Sequence, residues 1–94
     1  MVVQDGQTIK IGPFDIVVYL RSDEYLGGDE GRWMPDSHTI FIKEELVDIR
    51  KKEALWHELI HAVSDIYGLD LSEAQTRILS IAQLSILKGE KFYA

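Results

Sequence analysis

Residues 55–82 read LWHELIHAVSDIYGLDLSEAQTRILSIA, and this stretch decides the fold. Apolar residues recur in its first half at the spacing of one helix face, and they form a single stripe: Leu55, Leu59, Ala62, Val63 and Ile66. Gly68 follows this stripe and is typical of the left-handed residue that ends a helix. We therefore predict a helix that begins near Glu44 and ends at Tyr67.

A second helix is predicted to begin after Leu69. Two capping boxes are available for its first turn, Asp70 with Glu73 and Ser72 with Gln75. The helix should extend to about Lys88, and the short connection makes it an antiparallel neighbour of the first helix. Its predicted buried residues are Ala74, Ile78, Ile81, Ala82, Leu84 and Leu87.

The residues before these helices favour strands. Two short antiparallel strands, Thr8–Ile11 and Phe14–Arg21, are rich in β-branched and aromatic residues and flank a Gly-Pro turn. The polar segment Ser22–Gly31 is interpreted as a loop, and Gly31–Met34 with Ser37–Lys43 as a hairpin. The prediction is an α+β fold in which a small antiparallel sheet of three or four strands packs on two main helices.

Size and charge restrict the possible functions. A chain of 94 residues supports one hydrophobic core, so residues 1–94 are predicted to form a single domain. The formal net charge of -6, without a cluster of basic residues, argues against nucleic acid as a partner. No segment approaches the ~20 apolar residues of a membrane span, and the first residues do not resemble a signal peptide. A cytoplasmic protein with no membrane partner is therefore expected.

Residues 57–61 read HELIH, an HExxH motif within the predicted helix. Two histidines four positions apart project from adjacent turns of one helix face, so both imidazoles can bind one Zn²⁺ at about 2.0 to 2.1 Å. His57 and His61 are the predicted metal ligands. Glu58 lies between them on the same polar strip, where it is predicted to act as the general base rather than as a ligand. The alternative is a surface helix with two solvated histidines.

A catalytic zinc site usually has a third protein ligand. The chain has no cysteine, so the third donor must be His or a carboxylate. Glu73 is the preferred candidate, because folding the second helix back places it beside His61; its alternative role is to stabilise the helix N-terminus. Asp65 is the rival, although three ligands from one straight helix converge poorly on one metal. Asp65 is otherwise expected to orient a histidine or to face solvent.

The stretch at residues 55–82 resembles the active-site helices of small phage and bacterial zincins related to the ImmA/IrrE group, in which HExxH is followed by a Glu at the start of the next helix. GRWMPDSHTIFIKEEL, residues 31–46, also resembles the strand and turn before the zinc helix in those proteins. The resemblance covers roughly residues 8–85 and implies a minimal zincin-like fold. It implies one Zn²⁺ per chain at His57, His61 and Glu73, with Glu58 as base. It also implies a strand near Thr39–Lys43 that borders the cleft and pairs with extended peptide.

The chain departs from two related patterns. It lacks the DNA-binding or sensor domains of longer ImmA/IrrE-like proteins, so the resemblance does not imply control of a repressor. It also lacks the HExxHxxGxxH continuation of metzincins, because Ser64 and Tyr67 occupy the positions of that Gly and the last His. The resemblance is therefore to the class with a Glu ligand.

Four further residues with polar or aromatic side chains are predicted to have structural roles. His38 is interpreted as a turn histidine, with a hydrogen bond to substrate as the alternative. Tyr25 and Tyr67 are interpreted as loop or packing residues, although a phenol can polarise a scissile carbonyl. Trp56 is assigned to the core.

The leading functional hypothesis is a zinc-dependent peptidase that acts on a peptide or protein substrate through a zinc-activated water. The alternative is a non-enzymatic, zinc-stabilised protein-binding module. Hydrolysis of a bond other than a peptide bond stays open as a third possibility, and the oligomeric state is not predicted.

Overall fold

The structure, a computed structural model, describes residues 2–89, with side chains described through residue 86. Its elements in chain order are β1 (Gln7–Ile11), β2 (Phe14–Arg21), α1 (Asp23–Leu26), β3 (Gly31–Met34), β4 (Thr39–Lys43), α2 (Asp48–Tyr67) and α3 (Glu73–Gly89). A 3-10 turn at Pro35–Ser37 joins β3 to β4. The second strand of this hairpin therefore begins at Thr39 rather than at the predicted Ser37. The predicted α+β class, with four strands and two main helices, is confirmed.

The four strands form one mixed sheet in the order β1-β2-β4-β3. The β1–β2 and β3–β4 pairs are antiparallel as predicted, whereas β2 and β4 are parallel, with Val18 opposite Ile40. The prediction of a wholly antiparallel sheet is therefore wrong at this one pairing. The chain from β2 to β4 includes α1 and β3, which is long enough to return it in the same direction. As a result β4 lies inside the sheet and β3 forms its edge.

The core lies between the sheet and α2. Its strand residues alternate along β2 and β4 and are fully buried: Ile16, Val18, Ile40 and Ile42. They form one cluster with Leu55 and Leu59 on the predicted stripe of α2, and Trp56 packs against that cluster as predicted. Alternation at period 2 in the strands and at the helical period in α2 thus brings the two apolar faces together. This packing fixes α2 across the sheet and leaves the side chains of His57 and His61 partly exposed.

Helix α2 ends at Tyr67 with Gly68 in the left-handed conformation, as predicted, but it begins at Asp48 rather than near Glu44. Residues 44–47 form a turn instead, in which the Glu44 amide donates to the Arg21 carbonyl at 2.8 Å. This bond continues the β2–β4 pairing one residue beyond Lys43, and the helix begins after the turn.

The segment predicted as a loop contains the one-turn helix α1. Ser22 caps it by accepting a hydrogen bond from the Tyr25 amide, and Leu26 is fully buried. The signal in the sequence is a serine followed by a single apolar residue one turn later, which is too short to show a helical period.

Helix α3 buries a different face from the one predicted. The face directed to the interior carries Thr76, Ser80 and Leu84, all buried, of which only Leu84 was predicted. Ile78 and Ile81 are 66% and 56% exposed, and Ala74 and Ala82 are also exposed, so the prediction is wrong for these four; the Leu87 side chain lies outside the described residues. The direction of Glu73 explains the rotation, because Thr76 and Ser80 follow it at positions i+3 and i+7 on the same face.

The Thr76 hydroxyl is fully buried, and no hydrogen-bond partner lies within reach of its oxygen among the described residues. A buried hydroxyl without a partner carries a desolvation cost, and valine has nearly the same shape. We expect Thr76→Val to raise the free energy of unfolding by about 1 kcal/mol. Urea unfolding measures the change, with Thr8→Val on exposed β1 as the control for the general effect of the substitution. If Thr76→Val instead lowers the free energy of unfolding, the Thr76 hydroxyl forms a hydrogen bond in the folded protein.

Within residues 2–89, none of the helices has the length and apolar character needed to cross a membrane.

Candidate metal centre

The two histidines of the HExxH motif lie on the polar strip of α2. Leu55 and Leu59, on the opposite face of the same turns, are held in the core, so the backbone beneath the imidazoles is fixed. Both rings are partly buried, and the Nε2 atoms of His57 and His61 are 3.2 Å apart. Helical spacing of four residues accounts for this approach.

Glu73 lies beside both rings. Its Oε1 is 2.9 Å from His57 Nε2, and its Oε2 is 2.9 Å from His61 Nε2. Ligands bound to zinc at about 2.0 to 2.1 Å in a tetrahedron are about 3.3 Å from one another, close to these separations. The same distances also suit hydrogen bonds from protonated ring nitrogens to the carboxylate. Two imidazoles and one carboxylate nevertheless form a donor set that suits zinc.

Glu73 does not cap helix α3 through its side chain. Of the two predicted capping boxes, the structure contains the second: the Gln75 amide donates to Ser72 Oγ at 3.1 Å, and the Ser72 amide donates to Gln75 Oε1 at 2.8 Å. The Glu73 carboxylate is therefore free to face the histidines. The hydrogen bond with His57 is the main cause that lowers the pKa of Glu73.

Glu58 is directed to the interior side of the strip and is only 8% exposed. Burial raises its pKa to about 7. A positive charge on His57 lowers the pKa of Glu58, whereas the neighbouring Glu73 carboxylate raises it. The Glu58 carboxyl is not part of the group formed by the other three side chains, whose ligand atoms all lie within 4.8 Å of one another.

Gly31, the first residue of β3, makes room for Glu58. A Cβ atom at Gly31 would lie 2.9 Å from Glu58 Cγ and 3.3 Å from Glu58 Oε2. Any larger residue would displace the carboxylate from its position beside the histidines. Sequence reasoning missed this role, because an isolated glycine at a strand start gives no sign of the side chain that approaches it.

In metal-free protein, we expect ionisation of Glu58 to reduce stability as the pH rises. Its pKa in the folded state, about 7, lies above the ordinary value of 4.5, so the native state retains a proton that the unfolded chain releases. The resulting stabilisation is present below about pH 4.5 and is lost as the pH approaches 7, at a cost of at most about 3 kcal/mol. Unfolding of metal-free wild type and Glu58→Gln at pH 5 and pH 8 measures it. From pH 5 to pH 8, the free energy of unfolding of Glu58→Gln should rise relative to that of wild type. If the difference between the two proteins is the same at both pH values, the assigned burial of Glu58 is wrong.

Two cavities of about 680 and 640 Å³ flank the histidines. The first opens on His61 and is also lined by Trp33, Asp65 and Leu71, whereas the second opens on His57 and is also lined by Arg50, Ala54 and Leu84. Gly31, Glu58 and Glu73 line both. The two cavities therefore adjoin at the cluster and are together called the groove. Strand β3 lines the first cavity with Gly31 and Trp33 and the second with Gly31.

The strand that borders this groove is β3, not Thr39–Lys43 as the family resemblance implies. β4 is paired on both sides, by β2 and β3, so it has no free edge for another chain. Within the described part of the chain, β3 pairs only with β4, and it contributes Gly31 and Trp33 to the groove. The correction follows from the parallel β2–β4 pairing, which places β3 at the edge.

Asp65 does not approach the cluster of ligand atoms. Its Oδ2 accepts a hydrogen bond from Trp33 Nε1 at 3.2 Å, which connects α2 to the edge strand. Asp65 is exposed, as one of its two alternative roles predicts, and this hydrogen bond joins it to Trp33 rather than to a histidine. Trp33 is the second residue that sequence reasoning missed, and only its position two residues after Gly31 in the hairpin could have indicated it.

His38, Tyr25 and Tyr67 do not line either of the two cavities. His38 is in the left-handed conformation at the hairpin turn and stacks on Trp33, with ring centroids 5.8 Å apart. Tyr25 packs edge-on against Phe41. The Tyr67 hydroxyl lies against Gly12, where an added Cβ would collide with it. These positions agree with turn and packing roles.

No protein-family model, curated protein or solved structure matches this chain. The resemblance to ImmA/IrrE-like zincins is therefore still a hypothesis, and the function has to be inferred from the chemistry of the site itself.

Proposed function

We propose that this chain is a zinc-dependent peptidase, with His57, His61 and Glu73 as metal ligands and Glu58 as general base. The observation that carries the proposal is the close approach of three donor atoms from two helices beside a separate buried carboxylate. The two histidine Nε2 atoms and Glu73 Oε1 are 2.9 to 3.3 Å apart. A bound zinc ion supplies Lewis acidity and lowers the pKa of a water molecule towards neutrality.

Glu58 supports a catalytic rather than a purely structural centre. A structural zinc site has no need for a fourth, non-ligating carboxylate, and burial of that carboxylate is unfavourable when it is ionised. A raised pKa brings the group close to neutral pH, where a carboxylate can accept a proton and a carboxylic acid can return it to the leaving amine. Glu58 lies between the two proposed histidine ligands in the sequence, which supports this role in proton transfer.

The groove supports an extended peptide as the substrate. Among residues 2–89, β4 is the one strand that pairs with β3, and an extended chain can add to the other edge of such a strand through main-chain hydrogen bonds. The two cavities then accept side chains on either side of the scissile bond, with Trp33 and Leu71 lining one and Ala54 and Leu84 lining the other.

A non-enzymatic, zinc-stabilised binding module is the second candidate. The observation in its favour is the contact between α2 and α3, which places the hydroxyl residues Thr76 and Ser80 in the interior rather than large apolar side chains. A metal that joins His57 and His61 to Glu73 would crosslink these two helices. This candidate requires the same metal but no proton transfer by Glu58.

Both candidates predict bound metal. We expect purified protein to contain about one Zn²⁺ per chain and to melt at a temperature on the order of 10 °C lower after chelation, because a ligand that binds only the folded state stabilises it. Elemental analysis and calorimetry with and without chelator test this. If no zinc is found and chelation leaves the melting curve unchanged, both proposals are wrong.

A further inference from the structure

The position of Glu73 cannot be explained by packing of its own side chain. That side chain is 68% exposed, yet both of its oxygens lie 2.9 Å from histidine nitrogens. An exposed, flexible carboxylate loses conformational entropy when it is held in one place. The backbone at the start of α3 must therefore be positioned so that the carboxylate reaches the histidines with little loss of conformational entropy.

The connection between the helices contains two residues in the left-handed conformation. Gly68 has φ 66°, and Asp70 has φ 55°. Glycine adopts this conformation freely, and aspartate is among the few other residues that tolerate it. Together they turn the chain from α2 into α3 over a short segment, so a small change in this segment would move Glu73.

Ser64 holds both ends of this connection. Its carbonyl accepts hydrogen bonds from the Gly68 and Leu69 amides, the latter at 2.8 Å. Its hydroxyl accepts from the Leu71 amide at 2.9 Å, two residues before Glu73. A serine within a helix ordinarily bonds back to a carbonyl of its own helix, but Ser64 bonds forward, beyond the helix end. The Ser64 side chain is buried, so this bond is partly shielded from water.

We infer that Ser64 is a positioning residue for Glu73: its hydroxyl sets the connection between α2 and α3 so that the carboxylate reaches His57 and His61. The inference rests on the proposed function in one respect, the assignment of Glu73 as a metal ligand. The capping box of Ser72 and Gln75 cannot replace Ser64, because it lies wholly at the start of α3 and does not tie that helix to α2.

Competitive zinc titration of Ser64→Ala tests the inference. Loss of a residue that orients a ligand typically weakens metal binding by ~10- to 100-fold, and we expect a loss at the lower end of this range. Ser64→Thr keeps the hydroxyl and should restore most of the affinity. Ser85→Ala removes a serine hydroxyl bond of the same length, 2.9 Å to the Ile81 carbonyl, at the far end of α3, and should leave zinc affinity unchanged.

A double-mutant cycle with Glu73→Ala separates positioning from general loosening of the fold. If Ser64 acts through Glu73, Ser64→Ala should have little further effect on zinc affinity once Glu73 is absent. Equal losses in both backgrounds would overturn the inference, as would wild-type affinity in Ser64→Ala.

A measurement on metal-free protein distinguishes failure of this inference from failure of the metal site. Nuclear Overhauser contacts between the Glu73 side chain and the imidazole rings should be present in wild type and Ser64→Thr and lost in Ser64→Ala. If wild type binds no zinc, the metal proposal is wrong, but these contacts still decide whether Ser64 positions Glu73. Retention of the contacts in Ser64→Ala would refute the positioning role.

Discussion

Glu58→Gln should lose about 10²- to 10⁴-fold of the hydrolysis of a mixed peptide pool while it retains zinc, because the amide cannot accept a proton. Glutamine has nearly the same shape as glutamate, so it can occupy the pocket that Gly31 leaves open. The three donor atoms of the metal centre do not include Glu58, and zinc content should therefore be unaffected.

Initial rates and zinc content of wild type and Glu58→Gln, purified in parallel, measure the effect. Glu44→Gln is a suitable control, since it makes the same chemical change at an exposed residue before α2. Equal rates in wild type and Glu58→Gln would show that the hydrolysis came from a contaminant. Bound zinc without hydrolysis in either protein would favour the binding module.

The sequence predicts α2 well because its signals are local. The apolar stripe and Gly68 lie within one continuous segment, and the structure buries Leu55, Leu59 and Ala62 on the predicted face. The same local spacing accounts for the proximity of His57 and His61. A helix fixes the relative direction of its side chains, so this part of the site follows from the sequence.

The sheet topology depends on non-local pairing and was predicted less well. Strands β2 and β4 have the alternation of half-buried strands, but alternation does not specify whether two strands run parallel or antiparallel. The identity of the strand beside the groove depends on that choice. For this reason the sequence did not identify β3 as the edge strand. It also did not identify Gly31 and Trp33 as residues that line the groove.

The rotation of α3 shows two sequence criteria in conflict. Counting apolar residues favours burial of Ile78 and Ile81, whereas a Glu73 directed at α2 requires burial of Thr76 and Ser80. The two faces lie on different sides of a helix, so both predictions cannot hold at once. The structure directs Glu73 towards α2 and exposes the isoleucines.

Glu73→Ala should weaken zinc binding by more than 100-fold, whereas Asp65→Ala should change it by less than about 10-fold, because only Glu73 lies at ligand distance from both histidines. Asp65 is a demanding control, since it is a carboxylate on the same face of α2 as His61 and lines the same cavity. Its loss removes the hydrogen bond from Trp33 Nε1 and should instead loosen the edge strand.

Competitive zinc titration of both variants, each checked for folding in the metal-free state, measures the difference. If Glu73 served only the helix N-terminus, Glu73→Ala would cost about 0.3 to 1 kcal/mol of stability and leave zinc affinity nearly intact. Should Asp65→Ala remove the metal while Glu73→Ala retains it, the ligand set is wrong and the site is built on α2 alone. A loss in Glu73→Ala alone would mean that the metal joins α2 to α3 across their connection.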